Sequence, residues 1–407
     1  MQGHKVFNLK PSNYSAMDNQ SFTLSKKLVT ISMVMVAIGI VSLAYGYFAG
    51  LGPGRIAANI LLNSFYFLGI ALVGLFFVAV HAIAESGWQV SVQRIGEAMS
   101  SFIPVAGILL LLLFGLGGMS ALYEWTHEEH LDAILLKKVA YLNVPFFMIR
   151  FVIYFAGWIL LAHLIKKTSR KLDQHGDMFY FNRLRMLSAI FIVFYAITSV
   201  TSSWDWLMSI DAHWFSTLYG WYVFSSMLAS GIAVLIIILI ALKNMGYMTH
   251  VNPEHVHDLG KYLFGFSIFW AYLWFSQYML IWYANIPEET IYFYTRLKYF
   301  DNIFFLNLIL NLVVPLFILM TRNSKRMFSV LLPVSIIVFI GHWIDMYQII
   351  MPGVVGKEAG IGLLEIGLTI GFIGLFSLVI FYSLSKAPLV PKNHPFYKES
   401  IKYHTNY

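Results

Sequence analysis

The chain of 407 residues contains no cysteine. That excludes disulfides, thiolate zinc sites and iron–sulfur clusters ligated by this chain. Charge is scarce too. Asp, Glu, Lys and Arg make up 12% of the residues, about half the share in a soluble domain, so the chain was not built to meet water on all sides. No Walker, Rossmann or hydrolase motif occurs, which removes the ATPase and dehydrogenase signatures. The net charge of +7 is no nucleic-acid signal, because the basic residues lie at the ends of apolar segments, where membrane topology calls for them. A cleavable leader is not evident: the first apolar run starts only at Leu28, with no small-residue cleavage pattern after it.

What is abundant is hydrophobicity, 59% of the residues with a mean hydropathy of +0.70. A helix needs about 20 apolar residues to cross a bilayer. Ten such runs are present, at 28–48, 60–84, 102–123, 146–165, 187–207, 215–242, 263–283, 304–320, 327–351 and 361–384. The eighth carries Asn307, Asn311 and Pro315 and must therefore pack against protein. With residues 1–27 in the cytoplasm, twenty basic residues fall on inside segments, six on outside segments, and Arg150 within a span. That split places both termini in the cytoplasm. The expected organisation is a cytoplasmic segment 1–27, an all-α ten-span membrane domain 28–384 and a cytoplasmic tail 385–407.

Spans two to five and six to nine form two sets of four that start in the same orientation. Span five ends in "SSWDWLMSI" and span nine in "GHWIDMYQI"; span three exits through "YEWTHEE" and span seven through "IWYANIPEE". Each pair puts Trp and carboxylates at one level, as a parallel repeat would. An interfacial Trp belt gives the same pattern.

Ionisable groups inside a bilayer are costly, at least about 2.5–3.5 kcal/mol each, and demand a reason. The outer half holds Arg150, Asp205, Gln277, His342, Asp345 and Glu365, with His213 at the outer start of span six. Arg150 is placed about four residues into its span, roughly 6 Å deep, Asp345 is placed about as far from the outer end of span nine, and His342 shares its helix face. Two readings stand side by side. Arg150 with Asp205 or Asp345 neutralises charge and locks helices. Alternatively, these residues line an outer proton half-channel or a quinone pocket, where a His–carboxylate pair exchanges protons near neutral pH. The inner half holds His81, Glu85, Glu97 and His163, and the loop "HVNPEHVHDLGK". His81 and Glu85, four apart, are expected on one face. These are solvated helix ends or the mouth of an inner half-channel. His255 and His257 as metal ligands, and His81 with His163 as haem ligands, are weaker alternatives, so the site carries no assigned metal or cofactor. Gly367 and Gly371 in span ten allow close helix approach.

Two long stretches, "SSWDWLMSIDAHWFSTLYGWYVF" and "HDLGKYLFGFSIFWAYLWFSQYMLIWYANIPEE", resemble the second NrfD-like membrane subunit (ActF type) of alternative complex III, a bacterial quinol:electron-acceptor oxidoreductase. The resemblance runs from about span two to span ten. It implies ten helices in the bacterial cytoplasmic membrane. Spans two to five (about 56–210) and six to nine (about 211–351) would form two four-helix bundles, flanked by spans one and ten. It implies as partners a sister NrfD-like subunit, an iron–sulfur protein, a multihaem cytochrome c and further subunits, with haem and iron–sulfur clusters in those partners and menaquinol or another quinol oxidised chiefly in the sister. The chain itself would hold no redox centre and no catalytic residue of its own, and would carry proton half-channels. Alternatives are a quinol site in this chain and a secondary transporter.

Overall fold

The computed structural model describes residues 21–127 and 132–404. Ten helices within it are long and apolar enough to span a membrane: α1 Lys26–Phe48, α2 Pro53–Ile83, α3 Gln93–Leu122, α4 Val144–His175, α5 Met178–Trp206, α6 Tyr219–Asn244, α7 Pro253–Ala284, α8 Asp301–Ile318, α9 Phe328–Val354 and α10 Leu363–Leu384. No β-strand occurs among the described residues, only an isolated bridge between Ser21 and Pro388. The chain is a multi-pass α-helical membrane protein.

Several helices outrun their apolar stretches because caps, not hydropathy, end them. Asn252 caps α7: its Oδ1 accepts from the Glu254 and His255 amides, with Pro253 in the first turn. The segment "HVNPEHVHDLGK" is therefore not a loop; from Pro253 it is helix. Gly176, at φ +67°, closes α4, and Asp177 caps α5 at once, so this hairpin turns within two residues. Two helices are broken inside. In α3 a π-segment, Phe114–Gly118, contains Gly117 at φ +92°; in α8 another, Ile309–Val313, precedes Pro315.

The helices pack in chain-neighbour rings. α2 touches α3 and α5, α3 touches α4, and α4 lies along α5; likewise α6 touches α7 and α9, and α8 touches both α7 and α9. α2 and α6 lie against each other at the centre, with 83% and 89% of their apolar windows buried. α1 packs along α10 and little else. Its small or glycine positions Ser32, Gly39 and Gly46 are the buried ones, and a Cβ on Gly371 would come 2.7 Å from the Gly39 Cα. The Gly367–Gly371 pair thus serves contact within the chain.

We call the end that holds Lys26 and Lys386 the basic end, and the opposite one the aromatic end. Residues 385–404 lie across the basic end instead of trailing into solvent. Leu389, Val390, His394 and Ser400 are buried. Asn393 bonds the Asp173 carbonyl, Ser400 bonds Ser91 and the Trp88 carbonyl, and Tyr403 donates to Asp258.

Candidate functional site

The most unusual polar group is Asp345. It is fully buried, and α9 runs nine residues past it to Val354, about 13 Å of helix. That is deeper than the sequence suggested, because α9 continues beyond residue 351 through Pro352. Each oxygen is held by neutral donors. Oδ1 accepts from the Tyr222 hydroxyl and, at 2.7 Å, from Asn307 Nδ2. Oδ2 accepts from Trp270 Nε1 at 2.9 Å. His342, one turn away and also fully buried, puts Nδ1 3.8 Å from Oδ2 and 3.0 Å from Ser226 Oγ; its Nε2 has no partner among the described residues. Asn311 donates to Asn307 at 2.6 Å, so the bulged helix α8 faces its amides inward. α6, α7, α8 and α9 thus each contribute to one buried, hydrogen-bonded cluster. Gln277, two turns beyond Trp270 on α7, is buried with an unpartnered Nε2, but no bond joins it to Asp345.

Asp205 is different. It is equally buried, yet Arg150 Nε lies 2.8 Å from its Oδ2, and Tyr154 donates to the same oxygen at 2.8 Å. The guanidinium is flanked by the Tyr141 and Phe146 rings at 4.0 and 4.2 Å and donates to the Tyr141 carbonyl. This is a charge-compensated clamp between α4 and α5, with no link to Asp345. Glu365 is likewise structural in its contacts. It accepts from Arg55 Nε at 2.8 Å and from Asn59 at 3.0 Å, and it caps α10 through the Gly362 amide.

Below Glu365 a ladder missed in the sequence descends α2. Asn63 donates to the Asn59 carbonyl, and Asn63 Oδ1 accepts from Thr369 at 2.9 Å and from Trp343 Nε1 at 3.3 Å. Asn59 and Asn63 are fully buried, one turn apart. Their spacing within an apolar run was the available signal.

At the basic end the residues scatter. His81 is buried; its Nδ1 contacts the Phe77 carbonyl and its Nε2 the Tyr262 hydroxyl. Glu85 does not share its face. α2 ends at Ile83, Glu85 adopts φ +52°, and it pairs in the open with Arg185 at 2.7 Å. Glu97 is buried within α3, bonded by Arg94, Gln93 and Ser169 at 2.6, 2.9 and 2.5 Å, while Arg94 also reaches Asp173 at 3.0 Å. His163 is exposed on α4, with no tie to His81. Both ring nitrogens of His255 are engaged, with Asn252 and the Ser400 carbonyl, and no cluster of three metal-ligating side chains exists among the described residues.

At the aromatic end His213 precedes α6 by six residues and is exposed, 3.0 Å from Asp132. The Leu135 amide, with help from His213, holds the Asp132 carboxyl below its ordinary value. The segment between α5 and α6 is otherwise tucked in: Trp206, Leu207 and Trp214 are buried, and Trp214 stacks on Tyr292 at 4.0 Å.

No family model matches the chain, and no curated protein matches it at a significant level.

Proposed function

We propose that the chain is a membrane subunit of a respiratory quinol:electron-acceptor oxidoreductase of the alternative complex III type, with Asp345 and His342 as its proton-handling centre. The carrying observation is a carboxylate and an imidazole fully buried near mid-helix with no arginine or lysine bonded to them. Such a pair is expensive in a bilayer and is retained for function. Packing alone is served elsewhere by the compensated Arg150–Asp205 clamp.

In this reading the rings α2–α5 and α6–α9 are two four-helix bundles related as a parallel repeat. What supports it is that each ring ends in a helix whose carboxylate bonds the preceding helix: Asp205 to Arg150 on α4, Asp345 to Asn307 on α8. One copy of the site kept a cation and became a clamp; the other has only neutral donors and His342. The basic end faces the cytoplasm, with both termini there, on the distribution of Lys and Arg. Electrons and quinol belong to partner subunits carrying haem and iron–sulfur clusters. Two clefts of about 440 and 420 Å³ open elsewhere, one between α1, α2, α3 and α10 and one beside the helix Pro287–Tyr299; neither is lined by Asp345 or His342.

The test is Asp345→Asn, which keeps the shape and an acceptor oxygen. In native membranes quinol oxidation should persist while proton release linked to it falls about a hundredfold or more, the scale of one lost general acid–base group. Parallel loss of electron transfer would move the quinol site into this chain. Unchanged proton release would end the proposal.

A further inference from the structure

We propose that the cleft between α3, α4 and α10 at the basic end binds the phosphodiester headgroup of an anionic phospholipid. Its walls include Arg94, Lys166, Arg170, Glu97 and Ser383. Lys166 and Arg170 stand one turn apart on α4, where like charges repel. Neither is in an ion pair among the described residues. The Lys166 ammonium meets only the Ser101 hydroxyl, at 3.0 Å, and that hydroxyl is joined to Ser383 Oγ at 2.8 Å. Arg94, 4% exposed, spends its two terminal nitrogens on Glu97, Ser169 and Asp173, but its Nε is buried with no acceptor. Glu97 and Asp173 are both bonded to Arg94, so three cations face two carboxylates and the cleft keeps one positive charge. The unpaired cations are Lys166 and Arg170, and the Ser101 and Ser383 hydroxyls stand beside the Lys166 ammonium.

The depth fits a headgroup. Lys166 lies 22 residues from the first residue of α4, about 33 Å along the helix, against a hydrocarbon core of about 30 Å. Ala387 and Pro388, at the surface, give the same cleft an apolar rim. The enclosed space is only about 10 Å³, room for a single water. The phosphodiester therefore sits on the open rim, where Arg170 is exposed. Basic clefts between spanning helices suit anionic headgroups for this reason.

The experiment is lipid titration of the full-length protein in detergent micelles, read by native mass spectrometry, with phosphatidylglycerol, phosphatidylcholine or inorganic phosphate as the probe. Phosphatidylglycerol should bind in preference to phosphatidylcholine. Lys166→Gln with Arg170→Gln should weaken it about thirtyfold, the effect of two cations at a headgroup. The charge-conserving swap Lys166→Arg with Arg170→Lys should bind within about threefold of the native chain, as should Lys26→Gln with Lys27→Gln at the same end, since neither changes the charge facing this cleft. The proposal is overturned if the double glutamine variant binds as the native chain does, or if either control weakens binding as much. It is also overturned if inorganic phosphate competes at the lipid's own concentration, which would make the ligand a free oxyanion.

Discussion

Replacing Arg150 by Met would show whether Asp205 is a clamp or a proton carrier. The substitution keeps an unbranched side chain between the Tyr141 and Phe146 rings but removes the guanidinium. Asp205, 0% exposed, is then left with the Tyr154 hydroxyl as its side-chain donor. Stripping one partner from a buried ion pair costs about 3–5 kcal/mol. Losing the cation from its position over two rings adds about 0.5–2 kcal/mol. Asp205→Asn should cost about 3 kcal/mol, since it strands the arginine instead. The double variant replaces the pair with neutral groups and should cost only about 1–2 kcal/mol, because a buried pair exchanged as a unit is near neutral. The predicted coupling is therefore several kcal/mol. Reversible unfolding in mixed dodecylmaltoside–SDS micelles can follow it through tryptophan emission, because Trp206 packs against Tyr154 with ring centroids 5.9 Å apart. If the two single costs simply add, within about 0.5 kcal/mol, the clamp is refuted. Proton release unchanged in Asp205→Asn is the companion result that the clamp requires.

Other outcomes follow from contacts at the periphery. Gly371→Leu places a side chain where a Cβ alone meets the Gly39 backbone at 2.7 Å. It should detach α1 and lower the unfolding midpoint in mixed micelles, whereas Gly360→Ala, in open space, should leave it unchanged. His394 is buried outside the spans, and burial, helped by the Arg94 charge, pushes its pKa down to about 4. The unfolded ring binds its proton near 6.5, so the unfolded state holds more protons between the two values. Stability from this residue is then complete above about pH 6.5 and falls by about 3 kcal/mol as the pH drops toward 4. Limited proteolysis of residues 385–404 should quicken over that window, and His394→Phe should flatten the dependence.

The spans and the helical class were legible because hydropathy reports them directly. An intramembrane arginine also called for a nearby carboxylate, but the sequence left Asp205 and Asp345 both open as the partner of Arg150, which bonds Asp205. The surroundings of Asp345 were not legible. Its donors Tyr222, Trp270 and Asn307 sit inside apolar runs on three other helices, and a linear pattern does not say which faces meet. The depth of Asp345 was misjudged because hydropathy fades before α9 ends. His81 and Glu85 were placed on one face by assuming helix through residue 85, whereas the left-handed turn at Glu85 carries it away. The asparagine ladder on α2 was readable in principle, as four-residue spacing of amides, but an amide carries no charge to draw notice in an apolar run.

The pairing of α1 with α10 has a consequence for assembly. Among the described spanning helices, the one made first finds its main partner in the tenth, more than 300 residues later. Until α10 is inserted, the glycine-lined face of α1 has only lipid to touch. The eight helices between them can close their own contacts first, so the membrane domain is sealed by joining its two ends, and a chain stopped after α9 leaves its first helix adrift in the bilayer.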